Sequence, residues 1–359
     1  QLETGQSAPD AGAIDAGLET LSRAAAAAAA SGDGELNSEA ALAYGTALLH
    51  SGRSRDEEAG AVLLRGAALA EKLELGDRAA AFYRELAYME VRQARYARCG
   101  RRLDAAARHV ESDSERAGLE AIRGMAAADT GAHRSAVDHL RRSTQLAEAS
   151  GSGRQASFSL SFLGRSHLLC GDLTDARAAL ERSVSLAREE DWLSFLPWPE
   201  AWLAEVDLAE GDPDKARRGL EHSFALGCEL NDPCWEGLSA RGLGLLACRD
   251  GKTPHGLRML EDARRRSARI PCAYVWVQAY ALAALAEAAV EAGSSRADEW
   301  IGDLASIAGR TGMREFAVKA ALLRAERGDR AAAEAAVILA REVENPGLDT
   351  RLGVPRAAA

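Results

Sequence analysis

The segment GMAAADTGAHRSAVDHLRRS, residues 124–143, returns three times in altered spelling. It reappears as GRSHLLCGDLTDARAALERS at 164–183, AEVDLAEGDPDKARRGLEHS at 204–223 and GLLACRDGKTPHGLRMLEDA at 244–263. The copies stand 40 residues apart and agree in five columns. Gly131, Gly171, Gly211 and Gly251 form the central one. Seven earlier stand Gly124, Gly164, Ala204 and Gly244, and five later Ala136, Ala176, Ala216 and Gly256. Nine later come Leu140, Leu180, Leu220 and Leu260, and twelve later Ser143, Ser183, Ser223 and Ala263. Self-similarity at a fixed period of this size marks a repeat architecture.

The columns describe a helical hairpin. A glycine ends the first helix in the left-handed conformation, which it adopts without steric penalty. Asp212 before Pro213 then supplies an N-cap and a first helical residue for the second helix. The small residues seven before and five after mark where the two helices cross closely, and the leucine is expected to fill the seam to the next hairpin. The fold class that follows is all-α: a right-handed superhelical solenoid of helix-turn-helix repeats. Only nine prolines, a high alanine content and no period-2 alternation agree with it.

Weaker frames extend the array. Upstream, Ala94-Arg95-Tyr96 is followed by Cys99, Leu103 and Ala106 at the matching offsets, and Ser51-Gly52 separates helical stretches near 37–50 and 55–73. Downstream, Gly293 follows a helix around 273–291, with Ala297, Ile301 and Leu304 one residue early. Gly328-Asp329-Arg330, with Ala333, Val337 and Ala340, closes the series. The organisation expected is a capping helix within 1–35, about eight hairpins over 36–343 and a tail over 344–359. The chain begins with Gln1 and ends in Ala357-Ala358-Ala359, and so reads as a piece of a longer protein with part of its tail appended.

Over roughly residues 36–343 these columns resemble tetratricopeptide repeats. The match covers the turn glycine, the glycine seven before, the alanine five after and the large apolar residue nine after. The family's aromatic eleven before the turn is replaced by Glu120, Leu160, Glu200 and Ala240, and its tyrosine four before by Ala127, His167, Asp207 and Ala247. A period of 40 rather than 34 implies longer helices or longer loops between hairpins. The alanine- and arginine-rich texture is similar to the repeat domain of large actinobacterial transcription regulators. In those, a signal-transduction ATPase precedes the repeats and a LuxR-type DNA-binding domain often follows, as in the maltose-operon activator. That resemblance implies a sensor or interaction role.

Composition bounds the chemistry. The 54 acidic against 44 basic residues leave a net charge of −10, whereas a nucleic-acid partner calls for a positive footprint. The arginines at 92, 95, 98, 101, 102 and 264–266 read as solvated faces and basic helix ends. No run reaches the roughly 18 apolar residues of a membrane span and no signal segment is visible, so the expected location is cytoplasmic. The six cysteines and seven histidines show no metal-ligand spacing, and the cysteines read as small buried hydrophobes. No phosphate-binding loop, G-x-S-x-G, H-E-x-x-H or C-x-x-C occurs. The reading is therefore a binding domain, not an enzyme, with no cofactor.

In a solenoid the first helix of each hairpin lines a concave wall. The groove-facing column nine before the turn glycine holds Ile122, Phe162, Trp202 and Gly242. The column six before holds Met125, Arg165, Glu205 and Leu245, and ten before stand Ala121, Ser161, Ala201 and Arg241. Phe162, Arg165, Trp198, Trp202, Glu205, Arg241 and Leu245 are thus the expected floor of a site, with Gly242 leaving space beside Trp202. Trp235 and Trp276, each shortly after a proline (Pro233, Pro271), are expected along one rim. In the stretch WLSFLPWPEAW, residues 192–202, Trp192 and Phe195 read as a packing wedge in an inter-hairpin loop, and Pro199 as the start of the next helix. The expected partner is a protein, peptide or small-molecule effector. Two modes known in the fold fit poorly: a lysine-asparagine clamp for chaperone tails, and an asparagine ladder for peptide pheromones, since asparagine is confined to Asn37, Asn231 and Asn345.

Overall fold

The structure, a computed structural model, describes residues 11–51, 55–269 and 274–348; Gly52, Pro271, Cys272, the first ten residues and the tail beyond 348 lie outside the described residues. Among the described residues there are seventeen α-helices, one short 3-10 turn and no strand. Helix α1 (Ala11–Ala30) leads, and the others pair in sequence. The hairpins are α2 (Gly34–His50) with α3 (Asp56–Lys72), α4 (Gly76–Arg92) with α5 (Tyr96–Ala107), α6 (Asp113–Asp129) with α7 (His133–Ala149), and α8 (Gly153–Cys170) with α9 (Leu173–Glu189). They continue as α10 (Pro197–Ala209) with α11 (Pro213–Leu230), α12 (Pro233–Arg249) with α13 (Thr253–Ser267), α14 (Val275–Glu291) with α15 (Ala297–Thr311), and α16 (Arg314–Glu326) with α17 (Arg330–Ala340).

The turn glycines do what their column requires, with φ of +86° at Gly131, +85° at Gly171, +91° at Gly211 and +77° at Gly251. A second left-handed column lies twenty residues further on, at Gly151, Asp191 and Asn231, and joins one hairpin to the next. Turns therefore recur about every 20 residues, and the 40-residue period comes from helices mostly of 17 or 18 residues, not from long loops. Asp212 caps α11 by accepting from the Lys215 N–H at 2.9 Å. Helix α10 begins at Pro197, two residues before the expected Pro199, so Trp198 belongs to the helix and not to the loop.

Within a hairpin the helices nearly touch. A Cβ on Gly124 would lie 3.2 Å from the Ala136 carbonyl oxygen and overlap Leu140; one on Gly164 would lie 3.1 Å from the Ala176 oxygen and overlap Leu180. The leucine column thus covers the glycine of its own hairpin, which corrects the expectation that it serves the next seam. Leu220 is the copy that also reaches forward, onto Gly242. The serine column is fully buried and ties second helices inward. Ser143 Oγ donates to the Ala117 oxygen at 2.6 Å and lies 2.7 Å from Ser159 Oγ, while Ser183 and Ser157 exchange hydroxyl-to-carbonyl bonds at 2.8 Å.

First helices of successive hairpins (α4, α6, α8, α10, α12, α14, α16) touch one another along the inner layer, and second helices form the outer one. Such splayed layering winds the array, and the winding brings its end back onto its middle. The Glu344 N–H donates to the Gly131 oxygen at 2.9 Å, and the Glu344 carboxylate accepts from the Arg134 N–H at 2.7 Å. Buried His133 and Glu315 meet at 3.0 Å. Residues 344–348, expected in a tail, are packed here, with Asn345 and Leu348 buried. Cys99 and Cys234 are buried as expected; Cys228 is exposed.

Candidate ligand cavity on the inner face

The expected groove floor is not an open surface. Arg165 and Trp202 are 0% exposed, Trp198 1%, and Phe162 and Trp276 3% each. Glu205 and Arg241 are also buried, and Leu245 is half-buried against the main core. The inner face between α6 and α14 is filled by its own side chains.

Two ion-pair networks hold that filling together. Arg165 donates to Asp129 at 2.7 Å and to the Tyr274 hydroxyl at 2.8 Å, and the same hydroxyl donates to Asp129 at 2.7 Å. The guanidinium lies over the rings of Phe162 and Trp276, 4.7 and 4.3 Å from their centroids, where the ring faces attract a cation. Burial pushes the Asp129 carboxyl up to about 6, against the opposing pull of Arg165 and Tyr274. In the second network Arg241 donates to Glu205 at 2.6 Å, Tyr280 donates to the other Glu205 oxygen at 2.6 Å, and Arg241 stacks 3.6 Å over the Tyr280 ring. Trp202 packs against Tyr280 and Trp276, and its indole N–H has no acceptor among the described residues. Gly242 does not leave room for it, because Leu220 occupies that side. Trp202, Glu205, Arg241, Arg165 and Trp276 are therefore closed off from solvent, the half-buried Leu245 does not line the cavity described below, and Trp235 and Trp276 do not form one rim.

The opening lies further along the wall. A cavity of about 220 Å³ is bounded by the C-terminal ends of α2 and α4 on one side and the starts of α10 and α12 on the other. Three expected residues line it: Phe162, Trp198 and Trp235. Trp192 and Phe195, expected to be a wedge, line it too, stacked on each other at 4.1 Å and 10°. Phe158, Tyr88 and Tyr274 complete an aromatic wall whose rings meet at varied tilts; Trp198 and Trp235 lie 5.2 Å apart at 43°, and Phe195 meets Trp235 at 78°. Trp192, Phe158 and Trp235 are half-buried and stand toward the mouth.

The polar groups of the wall are His50, Ser51, Arg92, Ser194 and Asp232. None belonged to the expected site. Arg92, read as one of a solvated cluster, is buried: it donates to the Leu49 oxygen at 2.9 Å and lies 3.7 Å from Asp56. His50 stacks on Tyr88 at 4.7 Å and meets Glu85 at 2.9 Å. Burial raises the Glu85 carboxyl, but Arg84 and His50 outweigh it and hold it down to about 2. Asp232 caps α12, accepting from the Cys234 N–H at 2.8 Å and the Trp235 N–H at 3.1 Å through one oxygen. Burial raises its carboxyl above the usual range despite those two bonds and the more distant Arg92. The Asp232-Pro233 pair was the available signal: an N-cap followed by Pro at the first helical position places a carboxylate at a helix start.

An apolar, ring-lined cavity with a few convergent polar groups has the character of a small-ligand site. Among the described residues no helix is long and apolar enough to cross a membrane.

No protein-family model matches the sequence, and no curated protein matches it. Solved structures do. The chain is similar to a Rap protein complexed with competence and sporulation factor (12% identity, TM-score 0.61, 96% of this chain and 99% of that one). It is similar to NprR in complex with its cognate peptide NprX (12%, 0.63, 88% and 91%). A third likeness is to a signal transduction ATPase with numerous domains from Pyrococcus horikoshii that carries a tetratricopeptide repeat sensor (12%, 0.51, 90% of this chain and 48% of that one). At such identities the likeness is one of fold: the chain is a tetratricopeptide-type helical repeat array.

Proposed function

We propose that the chain is a non-enzymatic, effector-binding repeat domain, the sensor part of a larger transcription regulator, and that its ligand enters the aromatic cavity. One observation carries this reading: the inner face is filled by the chain's own rings and ion pairs except where Phe158, Trp192, Trp198 and Trp235 surround about 220 Å³ of space. A general scaffold for protein partners, the alternative reading, needs a long open groove, and the burial of Arg165, Trp202 and Trp276 leaves little of one. The similar structures of a Rap protein complexed with competence and sporulation factor and of NprR with its cognate peptide NprX support a ligand-binding role for a fold of this kind, and the Pyrococcus signal transduction ATPase, matched over 48% of its length, supports a sensor carried within a longer protein. The scarcity of asparagine argues against one way of holding a peptide backbone, not against a peptide ligand.

The test is a thermal-shift screen of metabolites and short peptides, with hits titrated by tryptophan fluorescence. Phe158→Ala and Trp235→Ala, checked for fold by circular dichroism, should each weaken a true effector by roughly 5- to 150-fold, because about 1–3 kcal/mol of ring contact is lost. A hit that binds both variants as tightly as the parent would place the site elsewhere.

A further inference from the structure

We infer that the cavity recognises an organic ammonium group, held between the aromatic rings at its mouth and the Asp232 carboxylate. This rests on the cavity reading above and names the chemistry of its ligand.

Three observations converge. The first is charge. Of the ionic groups on the wall, Arg92 has Asp56 beside it and His50 has Glu85, whereas no basic side chain comes within ion-pair distance of Asp232 among the described residues. One Asp232 oxygen takes both cap N–H groups, and the residue lines the cavity. Arg92 acts on it only at a distance, and Glu236, the nearest like charge, is itself paired with Arg266 and Arg269. A carboxylate in this setting gains most from a ligand cation.

The second is the rings. Trp192 stacks on Phe195, and Trp235 is set at 78° to Phe195 and 43° to Trp198 around one space; a cation within about 6 Å of the ring faces left open is attracted by their quadrupoles. The chain already uses this chemistry inside itself, where Arg165 lies between Phe162 and Trp276. At the cavity, no guanidinium among the described residues is seated over the rings on the α10 and α12 side; the wall arginine, Arg92, lies over Tyr88 instead.

The third is size. A dry cavity near 150 Å³ holds a benzene, so about 220 Å³ holds a group on the order of ten heavy atoms. That suits a quaternary or primary ammonium on a short stem, whether a free amine or the side chain of a peptide whose remainder stays at the mouth. The net charge of −10 attracts either one over long range.

The experiment is a fluorescence titration of the full chain with choline and with 3,3-dimethylbutan-1-ol, its uncharged counterpart of the same shape. Choline is expected to change the tryptophan emission saturably and to bind at least tenfold more tightly than the alcohol. Asp232→Asn, which keeps a good N-cap, should cost choline at least tenfold and leave the alcohol unchanged. Equal binding of the two probes, or an Asp232→Asn variant that binds choline normally, overturns the ammonium assignment and leaves an apolar-ligand cavity in place. Absence of any response to choline and butylamine, in a chain that binds some neutral effector sensitive to Trp235→Ala, overturns it as well. If the screen finds no ligand of any kind sensitive to Trp235→Ala, the cavity reading fails with it. Titration with N-acetyl-Ala-Lys-Ala-amide separates the sources: at least tenfold tighter binding than butylamine indicates a peptide, and equal or weaker binding a free amine.

Discussion

Asp129 and Arg165 form one ion pair, yet they are not equivalent halves of it. Both side chains are fully buried, and removing one leaves the other charge in a low-dielectric interior. A carboxylate has a way out, because it can take up a proton; a guanidinium at neutral pH does not. Asp129→Asn should therefore destabilise the fold by about 3–5 kcal/mol in urea unfolding at pH 7. Arg165→Met should be milder, and its deficit should change with pH. Burial already holds the Asp129 carboxyl above its ordinary value, and without Arg165 it rises further. A group whose folded pKa exceeds its unfolded one contributes stability at low pH that is lost as pH rises through the folded value. The Arg165→Met deficit should accordingly be smallest near pH 5 and grow toward pH 8, while that of Asp129→Asn should shrink over the same window, because the parent's own Asp129, titrating at about 6, loses stability there and asparagine does not titrate. A flat Arg165→Met profile would mean that loss of the guanidinium leaves the Asp129 titration where it was.

Helices in this array are spaced by what their crossing residues lack. Replacing a helical glycine with alanine ordinarily gains up to about 1 kcal/mol, because alanine loses less backbone freedom on folding. At Gly302 of α15 a Cβ meets nothing within 4 Å, and Gly302→Ala should stabilise by about that amount. At Gly164 the same Cβ overlaps Leu180 and crowds the Ala176 oxygen, and overpacking of this kind costs about 1–3 kcal/mol. Gly164→Ala should therefore lower the thermal midpoint while Gly302→Ala raises it, and scanning calorimetry distinguishes the two signs. This asymmetry explains why the hairpins were legible from sequence alone. Only glycine or alanine satisfies the crossing and only glycine adopts the turn φ cheaply, so Gly124, Gly131 and their copies repeat as letters. The second set of turns was not legible, because its φ is lower, +71° at Gly151, +48° at Asp191 and +51° at Asn231, where aspartate and asparagine stand in for glycine, whereas the first set lies at +77° to +91°. The cavity was legible only in part, for a related reason. A column fixes how high a residue stands on its helix, which identified Phe162, Trp198 and Trp235. It does not fix which distant turn of the superhelix faces that residue, and so His50, Arg92 and Asp232 went unseen.

A solenoid whose repeats touch only their neighbours unfolds nearly as a one-dimensional chain, from whichever end is weaker. This array carries a bond of another kind, from its last hairpin back to its third. His133 at the start of α7 meets Glu315 in α16, Lys319 lies 3.1 Å from the same carboxylate, and the Glu344 N–H closes on Gly131. Glu315→Ala removes the acceptor shared by a buried histidine and a lysine, and a buried donor left without its partner costs about 1–3 kcal/mol. Were coupling only between neighbours, that loss would be felt in α16, α17 and the adjoining α14–α15 hairpin. With the ends joined, the turn at residues 130–136 should loosen too, although it is about 180 residues away in sequence. Amide hydrogen exchange on the Glu315→Ala variant separates these outcomes. Faster exchange in both α16–α17 and the α6–α7 turn, with α9 and α11 unchanged, is the expected pattern. Faster exchange confined to the last two hairpins would reduce the closure to a surface contact. The distinction bears on sensing, because α6 also contributes Met125 to the cavity wall and Asp129 to the buried network beside it. A ligand that stiffens the wall then has a physical route to the far end of the array, through α6 into the turn that holds Glu344.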